Sequence, residues 1–145
     1  TLWSNISNVV RLKRSKLKKD DILFSIAGAI GRTAIVTDDI LPANTNQALS
    51  IIRLRKDVGL NVEFLNQVFK TDLIADQIEK RINGVAQMNV SLADIGNLKI
   101  IRPTIERQNE FAKFVEQVDK LKFEVQKSLN ETQTLFDSLM QEYFG

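Results

Sequence analysis

A basic run near the start of the chain is the first stretch whose residue types suit contact with a charged ligand. Six Lys or Arg residues fall within the nine positions of Arg11–Lys19. Each cation placed on a nucleic-acid backbone releases counterions and adds salt-dependent affinity, so the run is typical of a phosphate-contacting surface. It is equally typical of a solvated loop, or of a basic face anchored by Leu12 and Leu17. Composition alone leaves these interpretations open.

Amide side chains are concentrated in a second stretch, Asn44–Gln47. Asn and Gln can bond an adenine edge through two hydrogen bonds in the major groove of DNA. They are also ordinary turn-forming residues. A turn is indicated at Gly28 and Gly31, between two apolar segments. Ser25 and Arg32 flank this turn, and we expect both to project from the same hairpin end toward a ligand.

The residue inventory argues against catalysis. Without Cys or His, a thiol nucleophile is impossible and a Ser nucleophile lacks an imidazole base. The acid pairs Asp20–Asp21 and Asp38–Asp39 offer no third ligand at metal spacing, and we interpret them as loop residues. A P-loop and a G-x-G-x-x-G following a strand are both missing from the sequence. We therefore expect a binding module with no catalytic residue, metal or cofactor.

Length and charge favour one head domain followed by a helix. The 145 residues, 43% of them hydrophobic, suffice for one core of about a hundred residues. Residues 1–103 hold 15 Lys and Arg against 10 Asp and Glu, whereas residues 104–145 hold 5 against 8. One interpretation is that the basic head binds an anion while the acidic helix binds protein. The other is that the charges are simply scattered over the surface. The lack of Cys favours the cytoplasm, and the longest apolar run is too interrupted to span a membrane.

The last forty residues predict one long helix, from Ile105 to Tyr143. Pro103 supplies its start and Thr104 a plausible N-cap. A 3-4 spacing of seam positions runs through it, which is typical of a coiled coil that needs a partner. The apolar seam residues are Phe111, Phe114, Val118, Leu121, Val125, Leu135 and Leu139. Ser128 and Thr132 interrupt this seam; they either fix the register, or the stripe drifts toward Leu129 and Phe136.

The head reads as strands followed by a helix. We predict strands at 22–26 and 32–36, joined as a hairpin, and a third at 48–54. A single helix is predicted over 61–82, packed on the sheet and capped at Asn83-Gly84. A short helix at 91–98, capped by Ser91, and a strand at 99–103 then lead into the long helix. Residues 1–10 are consistent with a strand or an irregular segment.

Four motifs in order resemble one known family, the specificity subunits of type I restriction-modification systems. They are Leu17–Arg32 (LKKDDILFSIAGAIGR), Asn46–Ala48 (NQA), Gly84–Ser91 (GVAQMNVS) leading to Leu98–Pro103 (LKIIRP), and Glu106–Gln108 (ERQ). The match covers nearly the whole chain from Leu17 onward. The resemblance implies an α+β or α/β target-recognition head with a curved mixed sheet and a packed helix, followed by a coiled-coil-type spacer helix.

The resemblance also implies separate roles for the two parts of the chain and for its partner subunits. A recognition domain, 1–103, reads one half of a split target in double-stranded DNA, and a helix, 104–145, spaces the halves. The subunit performs no chemistry but positions the adenine methyltransferase (modification) subunits and the restriction subunit. Because one recognition unit is present, the chain is expected to be a half-subunit that pairs with a second copy or another half. Only sixteen residues precede Leu17, so part of the DNA-reading surface is expected to be missing.

The candidate DNA contacts follow from residue type within that framework. For phosphate they are Lys13, Arg14 and Lys16; near base edges or backbone they are Arg32, Asn44, Asn46 and Gln87. The alternative function is a coiled-coil adaptor, or a truncated subunit, that binds the methyltransferase without reading DNA. Dependence of DNA binding on salt distinguishes the two.

Overall fold

The computed structural model describes residues 3–13, 16–42, 46–82 and 89–145. The chain divides into two compact units, Thr1–Asn109 and Glu110–Gly145, which we call the head and the distal helix. The strands are β1 (Trp3–Asn5), β2 (Val10–Lys13), β3 (Ile22–Ser25), β4 (Thr33–Ile35), β5 (Leu49–Leu54) and β6 (Lys99–Ile101). The helices are α1 (Val62–Phe69), α2 (Asp72–Ile82), α3 (Leu92–Gly96) and α4 (Ile105–Phe144).

Four strands form an antiparallel sheet in the order β2-β5-β3-β4. Lys13, Ile51, Leu23 and Ala34 are paired in one row across it. Directly paired residues project to the same face of a sheet, and successive residues to opposite faces. We call the face of this row the outer face, and the face of Ile52 the inner face.

The inner face carries the core. The Phe24 ring on β3 meets the Phe69 ring on α1 edge-on, with centroids 5.5 Å apart. β-Branched and aromatic residues suit such a half-buried pleated surface, and this is why these segments form strands. The largest buried members of the cluster are Ile6, Ile22, Phe24, Ile52, Leu65, Ile74, Ile95, Leu98 and Ile100.

The first residues of the head form a strand and a 3-10 turn. β1 pairs with β6 in a separate two-stranded ribbon, and Ile6–Asn8 form the turn that leads to β2. The Ile6 amide donates to the Leu98 carbonyl at 2.9 Å. Both of these side chains are fully buried, so the start of the chain is fastened to the core beside α3.

The single helix predicted over 61–82 is wrong, because the structure has two helices separated at Lys70 and Thr71. The Thr71 hydroxyl donates to the Val68 carbonyl at 2.6 Å. The Thr71 carbonyl accepts from the amides of Ile74 and Ala75, which starts α2. Threonine competes for backbone bonds in this way, so it ends one helix and opens the next.

The other predicted elements of the head are confirmed with shorter bounds. The β3–β4 hairpin turns through Gly28 (φ 71°) and Gly31 (φ 90°), where the backbone is left-handed. Ser91 caps α3 in a capping box: its hydroxyl accepts from the Asp94 amide, and the Asp94 carboxylate accepts from the Ser91 amide, both at 3.0 Å. The predicted helix cap at Asn83-Gly84 lies outside the described residues.

The predicted long helix is confirmed as α4, which begins at Ile105 and spans 40 residues. At about 1.5 Å per residue, this is about 60 Å of helix. The Gln108 amide donates to the Thr104 carbonyl at 3.0 Å, and the Arg107 amide faces the Thr104 hydroxyl at 3.5 Å. Among the residues that the structure describes, no helix has the length and apolarity needed to cross a membrane.

Candidate nucleic-acid interface

The first half of the basic run forms β2, an edge strand of the sheet. Arg11 and Lys13 are exposed, whereas Val10 is buried and Leu12 packs against the core. Arg11 is paired with Arg53 and Lys13 with Ile51, so both cations project from the outer face. The run is thus a basic face anchored from below by Leu12.

The second half of the run is fastened over the same face by its backbone. Nη2 of Arg53 donates to the Lys16 carbonyl at 3.1 Å, and the Lys18 amide donates to Oδ2 of Asp21 at 2.7 Å. The side chains of Lys16 and Lys18 are exposed. We call Arg11, Lys13, Lys16 and Lys18 the cationic patch.

Lys19 differs from the patch because it has an acidic partner. Its Nζ lies 3.0 Å from Oδ2 of Asp38, and both side chains are more than half exposed. The hydrogen bond to Asp38, followed by the attraction of Asp38 and Asp20, raises the pKa of Lys19 above its usual value. The ammonium is therefore charged at neutral pH but partly neutralised by its partner.

Asp21 is placed in a loop as predicted, but its side chain is not solvated. It is 1% exposed and receives two hydrogen bonds from Arg53, Nε to Oδ1 at 2.7 Å and Nη2 to Oδ2 at 2.6 Å. This hydrogen bond to Asp21 is the main cause that raises the pKa of Arg53. Asp21 and Arg53 are 32 residues apart, so the pairing has no local signature in the sequence.

Three of the predicted contact residues lie at one end of the sheet. Lys13 ends β2, Arg32 immediately precedes β4, and Asn46 lies three residues before β5. In this antiparallel sheet the end of β2 and the starts of β4 and β5 are at the same end, beside Ser25. With neighbouring strands about 4.8 Å apart, β2 and β4 are separated by about 14 Å across the four-stranded sheet.

Two polar side chains at this sheet end are already used by the fold. The Ser25 hydroxyl donates to the Ala29 carbonyl and accepts from the Arg32 amide, so the expectation that Ser25 projects toward a ligand is wrong. Oδ1 of Asn46 accepts from the Ala48 amide at 3.0 Å, a turn that leaves the side chain exposed. Arg32 is exposed. The remaining candidates, Arg14, Asn44 and Gln87, lie outside the described residues.

Sequence reasoning did not identify Arg11 and Lys18 of the cationic patch, nor the buried position of Asp21. Arg11 is separated from Lys13 by one residue, and this alternation of charged and apolar residues is the signal of a half-buried strand. Lys18 carried no distinguishing signal within the run. In the parts of the chain that the structure describes, no three acidic side chains come together as metal ligands.

The distal helix exposes an apolar stripe. Phe114, Leu121, Val125 and Leu135 are each between 58% and 61% exposed, Leu139 is 43% exposed, and Val118 is partly exposed. A helix turns by about 100° per residue, so Val118, Val125, Leu129, Phe136 and Tyr143 share an arc of about 40°. Ser128 lies about 60° to one side of Val125. This geometry favours the drifting stripe over a polar register step.

The base of α4 is fastened inside the head by Gln108, which is fully buried. Its Nε2 donates to the carbonyls of Pro103 (2.8 Å) and Gly59 (3.2 Å), and its Oε1 accepts from the Asn61 amide at 2.9 Å. Asn61 in turn caps α1 through Oδ1 and donates from Nδ2 to Asn109. One buried amide side chain therefore bonds three backbone groups.

Comparison with known proteins identifies the family of this chain. Residues 4–133 match the family model described as the type I restriction modification DNA specificity domain. The type I restriction enzyme EcoBI specificity subunit of Escherichia coli is 31% identical over 140 residues. That alignment covers 93% of this chain and 29% of the relative, so the chain spans less than a third of that protein.

Solved structures of specificity subunits share the fold. The HsdS subunit from Thermoanaerobacter tengcongensis superposes with a TM-score of 0.73 at 18% identity, over 97% of this chain and 47% of that one. The S subunit of the type I restriction-modification system of M. genitalium gives 0.69 at 16% identity, over 98% and 46%. The predicted fold class is thereby confirmed, except that all the strand pairs of the described residues are antiparallel, whereas a mixed sheet was expected. Specificity subunits are the non-catalytic DNA-recognition components of restriction-modification complexes, and the family match over residues 4–133 means that this chain belongs to the type I restriction modification DNA specificity domain family.

Proposed function

We propose that residues 1–103 read one half of a split DNA target and that residues 104–145 form the helix that spaces the two halves. The observation that carries this proposal is the cationic patch: Arg11 and Lys13 share one face of the sheet, and the exposed Lys16 and Lys18 belong to the segment whose backbone is bonded to Arg53 and Asp21. Such a surface suits the regularly spaced phosphates of double-stranded DNA.

The two groups of candidates have different roles in this proposal. The cationic patch contacts phosphates, which sets affinity and register without reading sequence. Arg32 and Asn46 at the sheet end carry a guanidinium and an amide, the groups that bond guanine and adenine edges. Arg14, Asn44 and Gln87 remain predicted contacts beside them. Base reading is therefore expected from the loops at the sheet end, next to the patch.

The distal helix is proposed to bind another helix through its apolar stripe. A lone helix with large side chains more than half exposed leaves apolar surface in water, and packing against a second helix removes it. The partner is a second copy of the chain or another half-subunit, paired antiparallel. The proposed seam residues are Phe111, Phe114, Val118, Leu121, Val125, Leu135 and Leu139, and beyond Val125 the drift of the stripe adds Leu129 and Phe136 to them.

The chemistry in this proposal belongs to other subunits. An adenine methyltransferase subunit and a restriction subunit are the proposed partners. The chain positions them on the target DNA sequence in the cytoplasm and needs no cofactor of its own. Gentle isolation of the tagged chain from its native cells tests this role. Recovery of an adenine methyltransferase is expected, and its consistent absence would contradict the assembly.

DNA binding is tested by fluorescence anisotropy with a mixed-sequence 40-bp duplex at increasing salt. Four phosphate contacts predict a slope of log affinity against log salt of about −3.6, which is a loss of about 10²-fold between 50 and 200 mM salt. A slope near zero, or no binding at the lowest salt, would contradict a DNA-contacting patch.

The second candidate function is a coiled-coil adaptor that binds the methyltransferase without reading DNA. The exposed stripe of the distal helix favours it, since that surface needs a protein partner whether or not the head meets DNA. The adaptor predicts recovery of the methyltransferase together with a salt-independent or undetectable affinity for DNA. The recognition function predicts both activities in one chain.

A further inference from the structure

An acidic side chain lies directly beneath the cationic patch. The carboxylate of Asp21 accepts three hydrogen bonds, two from the Arg53 guanidinium and one from the Lys18 amide. The guanidinium donates a third bond to the Lys16 carbonyl. With exposed side-chain fractions of 1% for Asp21 and 18% for Arg53, water competes little for these bonds.

This ion pair holds the backbone at both ends of the Lys16–Lys18 segment. Lys16 (φ 57°) and Asp20 (φ 64°), on either side of Lys18, adopt left-handed conformations that L side chains rarely take. The Asp21 amide also donates to the Lys18 carbonyl at 3.2 Å, which closes the turn. The ion pair therefore contributes two of the bonds that hold the basic segment in a path that its residues do not favour by themselves.

The charge of Asp21 is unfavourable for anion binding, so its position needs a reason. An acid among cations lowers the local positive potential and should weaken contact with phosphate. A buried ion pair is also poor evidence of stabilisation, because apolar residues of similar volume often serve as well. What apolar residues cannot supply is the pair of bonds to the Lys16 carbonyl and the Lys18 amide.

We propose that the Asp21–Arg53 pair is a positioning element that presents Lys16 and Lys18 to the DNA backbone in a preorganised arrangement. Arg53 itself is not a DNA contact in this account, although it is a cation on the outer face. The inference rests on the proposed function of the cationic patch. It adds that an acidic residue increases the affinity for DNA.

The sign of the effect of removing this acid tests the proposal. Asp21→Asn is compared with Asp38→Asn, which removes an equally charged but exposed acid beside the same basic run. Affinity for the 40-bp duplex is expected to fall about fivefold in Asp21→Asn, with a slope of log affinity against log salt shallower by about one to two, as phosphate contacts are lost. In Asp38→Asn the affinity for the duplex should stay equal or rise, because Lys19 loses its acidic partner and its charge becomes available to phosphate.

Each outcome is decisive. If Asp21→Asn binds as tightly as the unaltered chain or more tightly, the acid only opposes DNA and the positioning role is wrong. If the unaltered chain shows no salt-dependent binding, the proposed function itself fails. This outcome can be told apart from failure of the positioning role alone, in which the unaltered chain still binds DNA. Arg53→Lys provides a second variant, because it keeps the charge but cannot form the two-pronged contact. A threefold or greater loss of affinity is expected, and an unchanged affinity would contradict the role.

Amide hydrogen exchange of the unaltered chain tests the same point without any substitution. The Lys18 amide, bonded to the Asp21 carboxylate, is expected to exchange slowly before DNA is added, at a rate that DNA changes little. Exchange at the rate of an unprotected peptide would show that the segment is not held, and the proposal would be overturned even if both variants failed to fold.

Discussion

The head and the distal helix use apolar residues in opposite ways. In the head, Phe24, Ile52, Leu65 and Ile100 are fully buried. In the distal helix, whose residues are all described, every side chain from 119 onward is exposed, and Phe144 reaches 80%. The head therefore buries its own apolar residues, whereas the distal helix leaves an apolar surface exposed, which is the surface proposed to bind a second molecule.

Polar side chains differ between the two units in the same way. Asp21 and Gln108 are buried and bonded to backbone groups far away in the sequence. The distal helix instead carries exposed pairs four residues apart, such as Glu116 with Lys120 at 3.3 Å and Gln126 with Asn130 at 2.9 Å. Pairs of this kind contribute about 0.2–0.5 kcal/mol each, so they cannot replace a packing partner.

Truncating a core ring should give the largest difference in stability between a variant of the head and a variant of the distal helix. Phe24→Ala removes a fully buried ring and its edge contact with Phe69, and is expected to lower the free energy of unfolding by about 3–5 kcal/mol. Leu121→Ala, at a position 60% exposed, should leave the unfolding of the head unchanged. Urea denaturation of dilute protein measures both. Equal losses in the two variants would contradict the contrast.

Charges introduced into the stripe should abolish assembly without affecting the head. Leu121→Asp with Val125→Asp would bury carboxylates at the helix contact, and we expect association to weaken by at least about 10²-fold. Light scattering should then report monomers, with an unchanged melting temperature of the head. Phe123→Asp is the control for an added charge, because Phe123 is 73% exposed but lies about 160° from Val125 around the helix. An unchanged particle size in the double variant would show that the seam is not the interface.

Two glutamines of α4 allow a direct comparison of its base with the distal helix. Gln108→Ala leaves the Asn61 amide and the carbonyls of Gly59 and Pro103 without their partner, and should cost about 1–3 kcal/mol of unfolding free energy. Gln126→Ala removes an exposed bond to Asn130 and should cost less than about 0.5 kcal/mol. Denaturant titration of the head transition gives both values, and a silent Gln108→Ala would argue against the fastening.

The position of the stripe can be determined by moving a charge by one residue. Leu129→Asp enters the common arc and is expected to weaken association about tenfold more than Ser128→Asp, which stays at the edge. Sedimentation equilibrium measures both constants. If Ser128→Asp were the more damaging change, the strict heptad seam through Ser128 would be correct.

The smallest effect is expected at the capping box of α3. Bonds from the hydroxyl and then the amide of Ser91 lower the pKa of Asp94, so the folded state favours its carboxylate. This contribution, about 1 kcal/mol for a cap, should be complete above the unfolded pKa near 4 and lost as the pH falls through the lower folded value. The difference between the unaltered chain and Asp94→Asn should therefore shrink from pH 6 to pH 2. A difference that stayed constant over this range would contradict the assignment, and Asp137→Asn on the distal helix is the control.

What the sequence predicted well depended on local pattern. The start of α4, the hairpin and the capped α3 follow from proline, glycine, serine and apolar spacing within a few residues. The break at Thr71 escaped because three- and four-residue steps of apolar residues continue across it. The bonds of Asp21 and Gln108 span 32 and 47 residues, and no local pattern encodes such partners.

The candidate contacts were predictable by residue type but not by arrangement. The basic run suggested phosphate contact, yet only the register of β2 against β5 places Arg11 and Lys13 on the outer face. The role of Arg53 within the fold likewise depends on its pairing with Asp21, 32 residues away in the sequence. Arg32 and Asn46 lie at the same end of the sheet as Lys13 because antiparallel pairing places the end of β2 beside the starts of β4 and β5.

The most direct test of the central claim, that the outer face of the head meets DNA, is a matched charge reversal. Arg11→Glu, Lys13→Glu and Lys18→Glu together are compared with Lys113→Glu, Lys122→Glu and Lys127→Glu, which make the same change in net charge on the distal helix. Duplex affinity at low salt should fall by at least about 10²-fold for the first set and by less than about threefold for the second. Equal losses, or a larger loss from the helix set, would contradict a DNA-binding head.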